Sequence, residues 1–253
     1  MSNLKRVVIV GGHGKVSLRL ARLIAPTHSV TSIIRDPAHS TDLTSVSSNI
    51  SPLVLSLEDS PVSDFTRTFN GASTVVFSAG AGGKGGPERT RKVDYEGALK
   101  VFNAIEAVEG KKPHLVLVSA VDVRDPNKIP EHYTEEDKKA SERVHSAIPT
   151  YMHWKYEADK NLVARTGFAW TILRPGGLID TPGTGHASIG RTHITTQIAR
   201  DDVAAALAVL VDRPDAAGLA IDFVGGDTPI AEGIDVFYQE GCDGLAWVKI
   251  EDF

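Results

Sequence analysis

Tyr151 and Lys155, in the stretch Tyr151-Met152-His153-Trp154-Lys155, have the types and spacing for proton transfer. At the start of a helix, an i, i+4 spacing puts both side chains on one face. A lysine ammonium beside a phenol favours the phenolate. Tyr151 is therefore a candidate general acid or base for interconverting a carbonyl and an alcohol. A solvated helix carries such pairs too, so position decides the reading. This one follows a strand-like segment and opens the helix leading to the next.

A second group of residues has the chemistry of a phosphate cradle. Val7-Val8-Ile9-Val10 reads as a short buried strand, and Gly11-Gly12-His13-Gly14-Lys15-Val16-Ser17 follows at once, before the apolar-periodic stretch Leu18 to Ile24. A strand, a glycine turn and a helix start aim backbone N–H groups and a helix dipole at one point, where a pyrophosphate can sit. Gly11 and Gly14 fit the form G-x-x-G-x-x-G, with Ser17 in the third place, small enough for close helix–strand packing. Gly11, Gly12, His13, Gly14, Lys15 and Val16 are the candidate cofactor contacts there. The second strand ends in Ser32-Ile33-Ile34-Arg35-Asp36-Pro37. Arg35 stands where the ribose selector belongs, and a guanidinium forks well onto a phosphate, which favours NADP. The alternative is NAD, with Asp36 holding the ribose hydroxyls.

The elements that must position these groups alternate along the chain. Strands are expected at Ser29–Ile34, Pro52–Leu57, Thr74–Phe77, His114–Val118, Ala169–Leu173 and Leu219–Val224, after the first at residues 7–10. Helical periodicity marks Lys15–Ile24, Val93–Val108, Trp154–Arg165 and Asp202–Leu210. That alternation predicts an α/β fold: a Rossmann-type, doubly wound, mostly parallel sheet of about seven strands with helices on both faces. The glycine-rich run from Ala79 to Pro87 follows the fourth strand, where such a sheet has its ligand crevice. Two polar excursions, 122–148 and 175–198, also follow strand ends and are expected to form the substrate pocket or a lid. A tail from about residue 230 ends in Leu245–Ile250, a candidate final strand. No repeat or linker divides the chain, so residues 1–253 are expected to form one nucleotide-binding domain.

Composition narrows the partners. The net charge of −5 over 253 residues speaks against a nucleic-acid partner. A lone cysteine, Cys242, excludes an intramolecular disulfide and a cysteine-built metal site. The nine histidines show no metal-ligand spacing, and no metal is expected. No apolar run approaches the ~20 residues that span a bilayer, and Met1–Arg6 runs straight into the first strand, so the expected location is the cytoplasm. Lys84 sits in the glycine run without a P-loop pattern around it. Lys111-Lys112 reads as a pair of charges at a helix end.

Taken in order, these motifs resemble an atypical short-chain dehydrogenase/reductase of the NmrA-like, epimerase/dehydratase-like group. The resemblance rests on the Gly11–Val16 turn, Arg35-Asp36-Pro37, the run Val75 to Gly85 and Val93-Asp94-Tyr95-Glu96-Gly97. It continues through Val118-Ser119-Ala120, Tyr151-x-x-x-Lys155, Thr171-Ile172-Leu173-Arg174-Pro175-Gly176 and Ile198 to Ala204. It implies an NADP-binding Rossmann domain, with Ser78, Ala79, Gly80 and Ala81 along the cofactor and Arg174-Pro175-Gly176 on the nicotinamide side. It also implies a reaction centre of Ser119, Tyr151 and Lys155, in which Lys155 also binds the cofactor by orienting its ribose, with Asp94 where the family has an asparagine. A strict frame puts Val121 or Asp122 at the serine position. Two functions stay open at this point: an oxidoreductase or epimerase/dehydratase acting on a small carbonyl or hydroxyl substrate, and a non-catalytic NADP(H)-binding regulator. The family implies a monomer or homodimer.

Overall fold

A computed structural model of the chain describes residues 4–82 and 85–242, with 240–242 as backbone alone. In chain order the elements begin with β1 (Lys5–Val10), α1 (Lys15–Ile24), β2 (His28–Ile34), α2 (Ser40–Thr44), β3 (Ile50–Val54), α3 (Val62–Phe69) and β4 (Thr74–Phe77). Next come α4 (Gly86–Thr90), a π-helical stretch (Arg91–Glu96), α5 (Gly97–Glu106), β5 (His114–Val118), α6 (Glu135–Ala147) and α7 (Pro149–Val163). The chain continues with β6 (Trp170–Pro175), β7 (Leu178–Ile179), β8 (His186–Gly190), β9 (Ile198–Ala199), α8 (Arg200–Val211), β10 (Leu219–Pro229) and α9 (Ile230–Cys242).

Successive side chains of β1 face opposite ways. Val7 and Ile9 enter one buried cluster, with α1 and α8; Val8 and Val10 enter another, with α3, α5 and α7. In β5, Val116 joins the first cluster while Leu115 and Leu117 join the second. A strand buried on both faces reads as an unbroken apolar run. The main sheet has eight strands in the order β3-β2-β1-β4-β5-β6-β10-β8. Its seven-strand body is parallel, and β8 pairs antiparallel with β10. The eighth strand comes from the excursion after β6. The order reverses beside β1, whose neighbours are β2 and β4, so the ligand crevice opens above the carboxyl ends of these three strands.

Some expectations shift. The third strand lies at Ile50–Val54, earlier than Pro52–Leu57. The helix expected at Val93–Val108 opens as the π stretch and becomes α-helical at Gly97. Five helices were not expected: α2, α3, α4, α6 and α9, the last in the tail from about residue 230. In α3, Phe65 and Phe69 stand one turn apart and are fully buried. In α6, Thr134 accepts from the Asp137 N–H while the Asp137 carboxylate accepts from the Thr134 N–H, a capping box inside the excursion 122–148. Lys112 donates to the Val108 carbonyl at 3.0 Å and to that of Glu106, closing the end of α5. Gly83, Lys84, the Cys242 side chain and the strand expected at Leu245–Ile250 lie outside the described residues. Among the described residues, no helix is long and apolar enough to cross a membrane.

Candidate functional site

The glycine turn is pressed between two strand ends. Gly11 has φ +83°, and a Cβ there would lie 2.7 Å from Ala79 Cα. A Cβ on Gly12 would lie 2.8 Å from Ser32 Cβ. Gly14 donates to the Gly11 carbonyl at 3.0 Å and starts α1 without a side-chain cap or an acidic residue in the first turn. The first-turn N–H groups, at Lys15 and Val16, therefore have no anionic partner from the helix itself. The Lys15 side chain leaves the turn to meet Asp180 at 2.6 Å. The His13 ring stacks on His39 with centroids 3.6 Å apart, and its Nε2 lies 2.8 Å from Asp42.

Beyond the end of β2, Arg35 is largely exposed. Its Nη1 lies 3.7 Å from Glu58 Oε1, and Arg89 Nη2 lies 3.5 Å from the same oxygen. The Asp36 carboxylate accepts from the Ala38 N–H at 2.9 Å and caps a 3-10 turn.

The proton-transfer pair sits at the first turns of α7, with Pro149 starting the helix. Lys155 is 4% exposed, donates to the Val118 carbonyl at 2.8 Å, and lies 6.0 Å from the centre of the Tyr151 ring. Asp94, in the π stretch, is buried; it accepts from the Ala81 N–H at 3.0 Å, and a Cβ on Gly80 would lie 3.0 Å from its other oxygen. Thus the loop after β4, from Ser78 to Ala81, is pinned to the glycine turn at Ala79 and to Asp94 at Gly80-Ala81. Burial pushes the Asp94 carboxyl above its usual range, against the Lys155 charge and the Ala81 N–H. One expectation is corrected here. Lys155 does pull Tyr151 down, but burial outweighs it and Asp94 and Asp159 add to burial, so the phenol lies above its ordinary value.

The serine frame resolves into three different environments. Ser119 is buried and donates its N–H to the Leu173 carbonyl at 2.8 Å, and its hydroxyl, near Asp159, has no hydrogen-bond partner among the described residues. Val121 donates its N–H to the Pro175 carbonyl at 3.0 Å. Asp122 adopts φ +62°, rare for a residue with a side chain. Its carboxylate meets Arg124 at 2.7 Å, Tyr133 at 3.1 Å and His145 at 3.1 Å.

Several buried ionisable groups here were not expected. Asp159, four residues after Lys155, has no exposure and pairs with Arg174 at 3.1 Å. Burial raises its carboxyl, opposed by Arg174, Ser119 and Lys155. Asp222 of β10 lies in register with Arg174 of β6. Burial pushes the Asp222 carboxyl up to about 6 against Arg174, with Asp122 and Asp159 adding to the rise. A signal existed: Arg174 and Asp222 are charges inside otherwise apolar strands, and Asp159 repeats the i, i+4 step from Lys155.

The second excursion is tied at both ends. Thr184 and Gly185 donate their N–H groups to Asp202 at 3.0 and 2.8 Å. Ile194 donates to Asp137 at 2.9 Å, and His193 Nδ1 lies 2.7 Å from the same carboxylate. Burial works against the charge of Asp137, yet the bonds from Thr134, His193 and Ile194 hold its carboxyl well below the usual range. At the end of β6, Gly176 donates to the Phe223 carbonyl at 2.9 Å, and a Cβ there would lie 3.0 Å from Val224. Among the described residues, no group of three or more histidine, cysteine, aspartate or glutamate side chains is arranged to hold a metal ion.

Residues 11–214 match the NAD(P)H-binding family. The chain belongs to that family. It is 38% identical over 239 residues to UPF0659 protein C216.03 of Schizosaccharomyces pombe, covering 92% of this chain and 95% of that protein. A Bacillus subtilis family relative bearing the name uncharacterized sugar epimerase YhfK is 32% identical over 231 residues, 90% of this chain and 98% of that one. The fold also matches the structure of a candidate NAD-dependent epimerase/dehydratase from Bacillus halodurans, with TM-score 0.76 and 29% identity over 92% of this chain and 99% of that one. The chain thus has the NAD(P)-binding, oxidoreductase/epimerase-like fold of its family.

Proposed function

We propose that the protein is an NADPH-dependent oxidoreductase that reduces a carbonyl on a small substrate, with Tyr151 as proton donor. The observation that carries this reading is Asp94, which ties the loop at Gly80-Ala81 to the surroundings of Lys155 and Tyr151. It sets the acid–base pair against the crevice in which a dinucleotide belongs. Two features fit a dinucleotide: Gly11 and Gly12 leave no room for a Cβ, and α1 starts with uncapped N–H groups. In this reading the N–H groups at His13 to Val16 hold the pyrophosphate and Arg35 takes the 2′-phosphate. Gly80 and Ala81 run along the cofactor, and Pro175 and Gly176 face the nicotinamide. Asp36, engaged in its own turn, is poorly placed to serve NAD. When bound, the nicotinamide supplies the hydride.

Tyr151 holds its proton at neutral pH, as a tyrosine at its ordinary value does, and burial moves it further from the phenolate that abstraction from an alcohol requires. An epimerase that first oxidises its substrate needs the reverse at the outset. Lys155 acts on Tyr151 through its charge, compensates the phenolate left after transfer and, in this reading, orients the cofactor ribose. Ser119, beside Asp159, positions the substrate oxygen from the β5 side.

Calorimetric titration with NADPH and NADH tests the cofactor half. Tight NADPH binding that weakens in Arg35→Ala is the expected result, and no binding of either nucleotide overturns the proposal. A carbonyl screen with loss of turnover in Tyr151→Phe tests the catalytic half.

A further inference from the structure

Two guanidiniums from distant parts of the chain converge on one carboxylate oxygen. Arg35 follows β2, Arg89 belongs to α4 beyond β4, and Glu58 lies in the turn after β3. The contacts to Glu58 Oε1, 3.7 Å from Arg35 and 3.5 Å from Arg89, are longer than the ~2.7–2.9 Å of a charge-assisted hydrogen bond. Glu58 is therefore a loosely held counter-ion between two forks. One of the two cations and the turn that carries the carboxylate are held in place, while the Arg35 side chain stays largely exposed. The Arg89 stem lies over Gly85, which has φ +85° and whose Cβ would come within 2.5 Å of Arg89 Cδ. The Glu58 turn is clamped through its backbone, because Lys100 Nζ donates to the carbonyls of Leu57 at 2.5 Å and Ser60 at 2.8 Å. Its side chain can thus swing to water without the turn moving, and Lys100 adds a third positive charge nearby.

We propose that Arg89 is a second ligand, opposite Arg35, for a phosphomonoester on the adenosine ribose, and that Glu58 is the counter-ion this phosphate displaces. This rests on the NADP reading above and assigns it a residue from outside the β2 turn. A phosphate dianion presents several acceptor oxygens and takes two guanidinium forks at once, where a single carboxylate oxygen takes each at long range. Two arginines flank one glutamate, so the exchange replaces one negative charge by nearly two between the same cations.

The test uses the intact protein with 2′,5′-ADP and 5′-AMP, which differ only in the 2′-phosphate, by calorimetry on wild type, Arg35→Ala, Arg89→Met and Glu58→Gln. The expected pattern is a preference for 2′,5′-ADP in wild type, a loss of about tenfold or more in Arg89→Met, and a gain of several-fold in Glu58→Gln. Binding of 5′-AMP stays unchanged in both variants. Arg89→Met with undiminished 2′,5′-ADP binding, while Arg35→Ala loses it, overturns the second ligand and leaves the NADP reading intact. Weaker 2′,5′-ADP binding in Glu58→Gln overturns the displacement. No preference in the wild type overturns the NADP reading and this inference with it. Thermal melts of each variant establish that the fold is retained.

Discussion

Lys155 hangs its ammonium on the Val118 carbonyl oxygen at 2.8 Å, so the cation is fixed by the carboxyl end of β5 and not by either of the acids that feel its charge. Asp94 and Asp159 press on it from two elements, and neither is paired with it directly. The lysine therefore works through its field on Tyr151. Replacing it by methionine removes the one positive influence on the phenol and leaves the two acids that raise it. The Tyr151 titration, read as the tyrosinate absorbance difference between each protein and its Tyr151→Phe counterpart, should move upward in Lys155→Met. A midpoint that stays put would mean that the lysine and the tyrosine are uncoupled.

The Asp159–Arg174 pair is a buried ion pair between α7 and β6. Removing one partner of a buried ion pair costs up to roughly 3–5 kcal/mol when the other charge is left alone. Asp222, in register with Arg174, still faces the guanidinium after Asp159→Ala, so urea unfolding should show a loss below about 3 kcal/mol. The double change Asp159→Leu with Arg174→Met should recover most of it, since well-packed apolar pairs replace such pairs without loss. A double variant no better than the single would show that the pair holds more than itself.

His114 gives the fold a dependence on pH. It is buried, its Nε2 lies 2.9 Å from Thr171 Oγ1, and burial pushes its pKa down from 6.5 to about 4, with Asp215 opposing. The unfolded chain takes this proton at ordinary pH and the folded one only near pH 4. The contribution is therefore complete above about pH 6.5 and is lost as pH falls toward 4, reaching ~3 kcal/mol. Asp222 works in the opposite sense: its folded value of about 6 gives stability that fades as pH rises through it. Unfolding of wild type and His114→Asn across this range separates the two, and parallel pH curves would refute the assignment to His114.

Gly11 and Gly71 both have positive φ, +83° and +74°, yet only Gly11 has backbone within reach of an added Cβ. Gly71→Ala bears only the backbone strain, of order 1 kcal/mol. Gly11→Ala adds a collision with Ala79 and should lose about 2 kcal/mol or more together with dinucleotide binding. Equal effects of the two changes on melting and on calorimetric titration would contradict the packing of the turn against Ala79.

The strands that carry the crevice were readable because burial on both faces leaves their sequences apolar without interruption, as in Val7 to Val10 and Leu115 to Val118. Tyr151 and Lys155 were readable for a local reason too, the one-turn spacing. What escaped has other causes. The α3 helix is only two turns long, and its core contact is the single pair Phe65 and Phe69. The α6 helix is polar on most of its surface, and its only clear mark is the Thr134-x-x-Asp137 start. The pairing of Asp159 with Arg174, and of Glu58 with Arg35 and Arg89, joins separate elements. Strand adjacency creates these contacts, and no spacing along the chain encodes them. The direction of Tyr151 escaped for the same reason, since the sequence shows its lysine but not the depth at which it lies.

Asp202 and Asp137 hold the two ends of the segment between Thr184 and Ile194 from outside it, through backbone N–H groups that any residue would offer. Gly185, with φ +74°, and His193, whose ring meets Asp137 at 2.7 Å, are constrained in type at those ties. In between, Ala187 and Thr192 are buried and Gly190 has φ +98° against Phe237, so only exposed positions such as His186 and Arg191 are free to vary while the anchors, and the cofactor half of the molecule, stay as they are. Divergence between relatives should therefore concentrate at these exposed positions, and Asp202 and Asp137 mark where exchange between relatives should be cut.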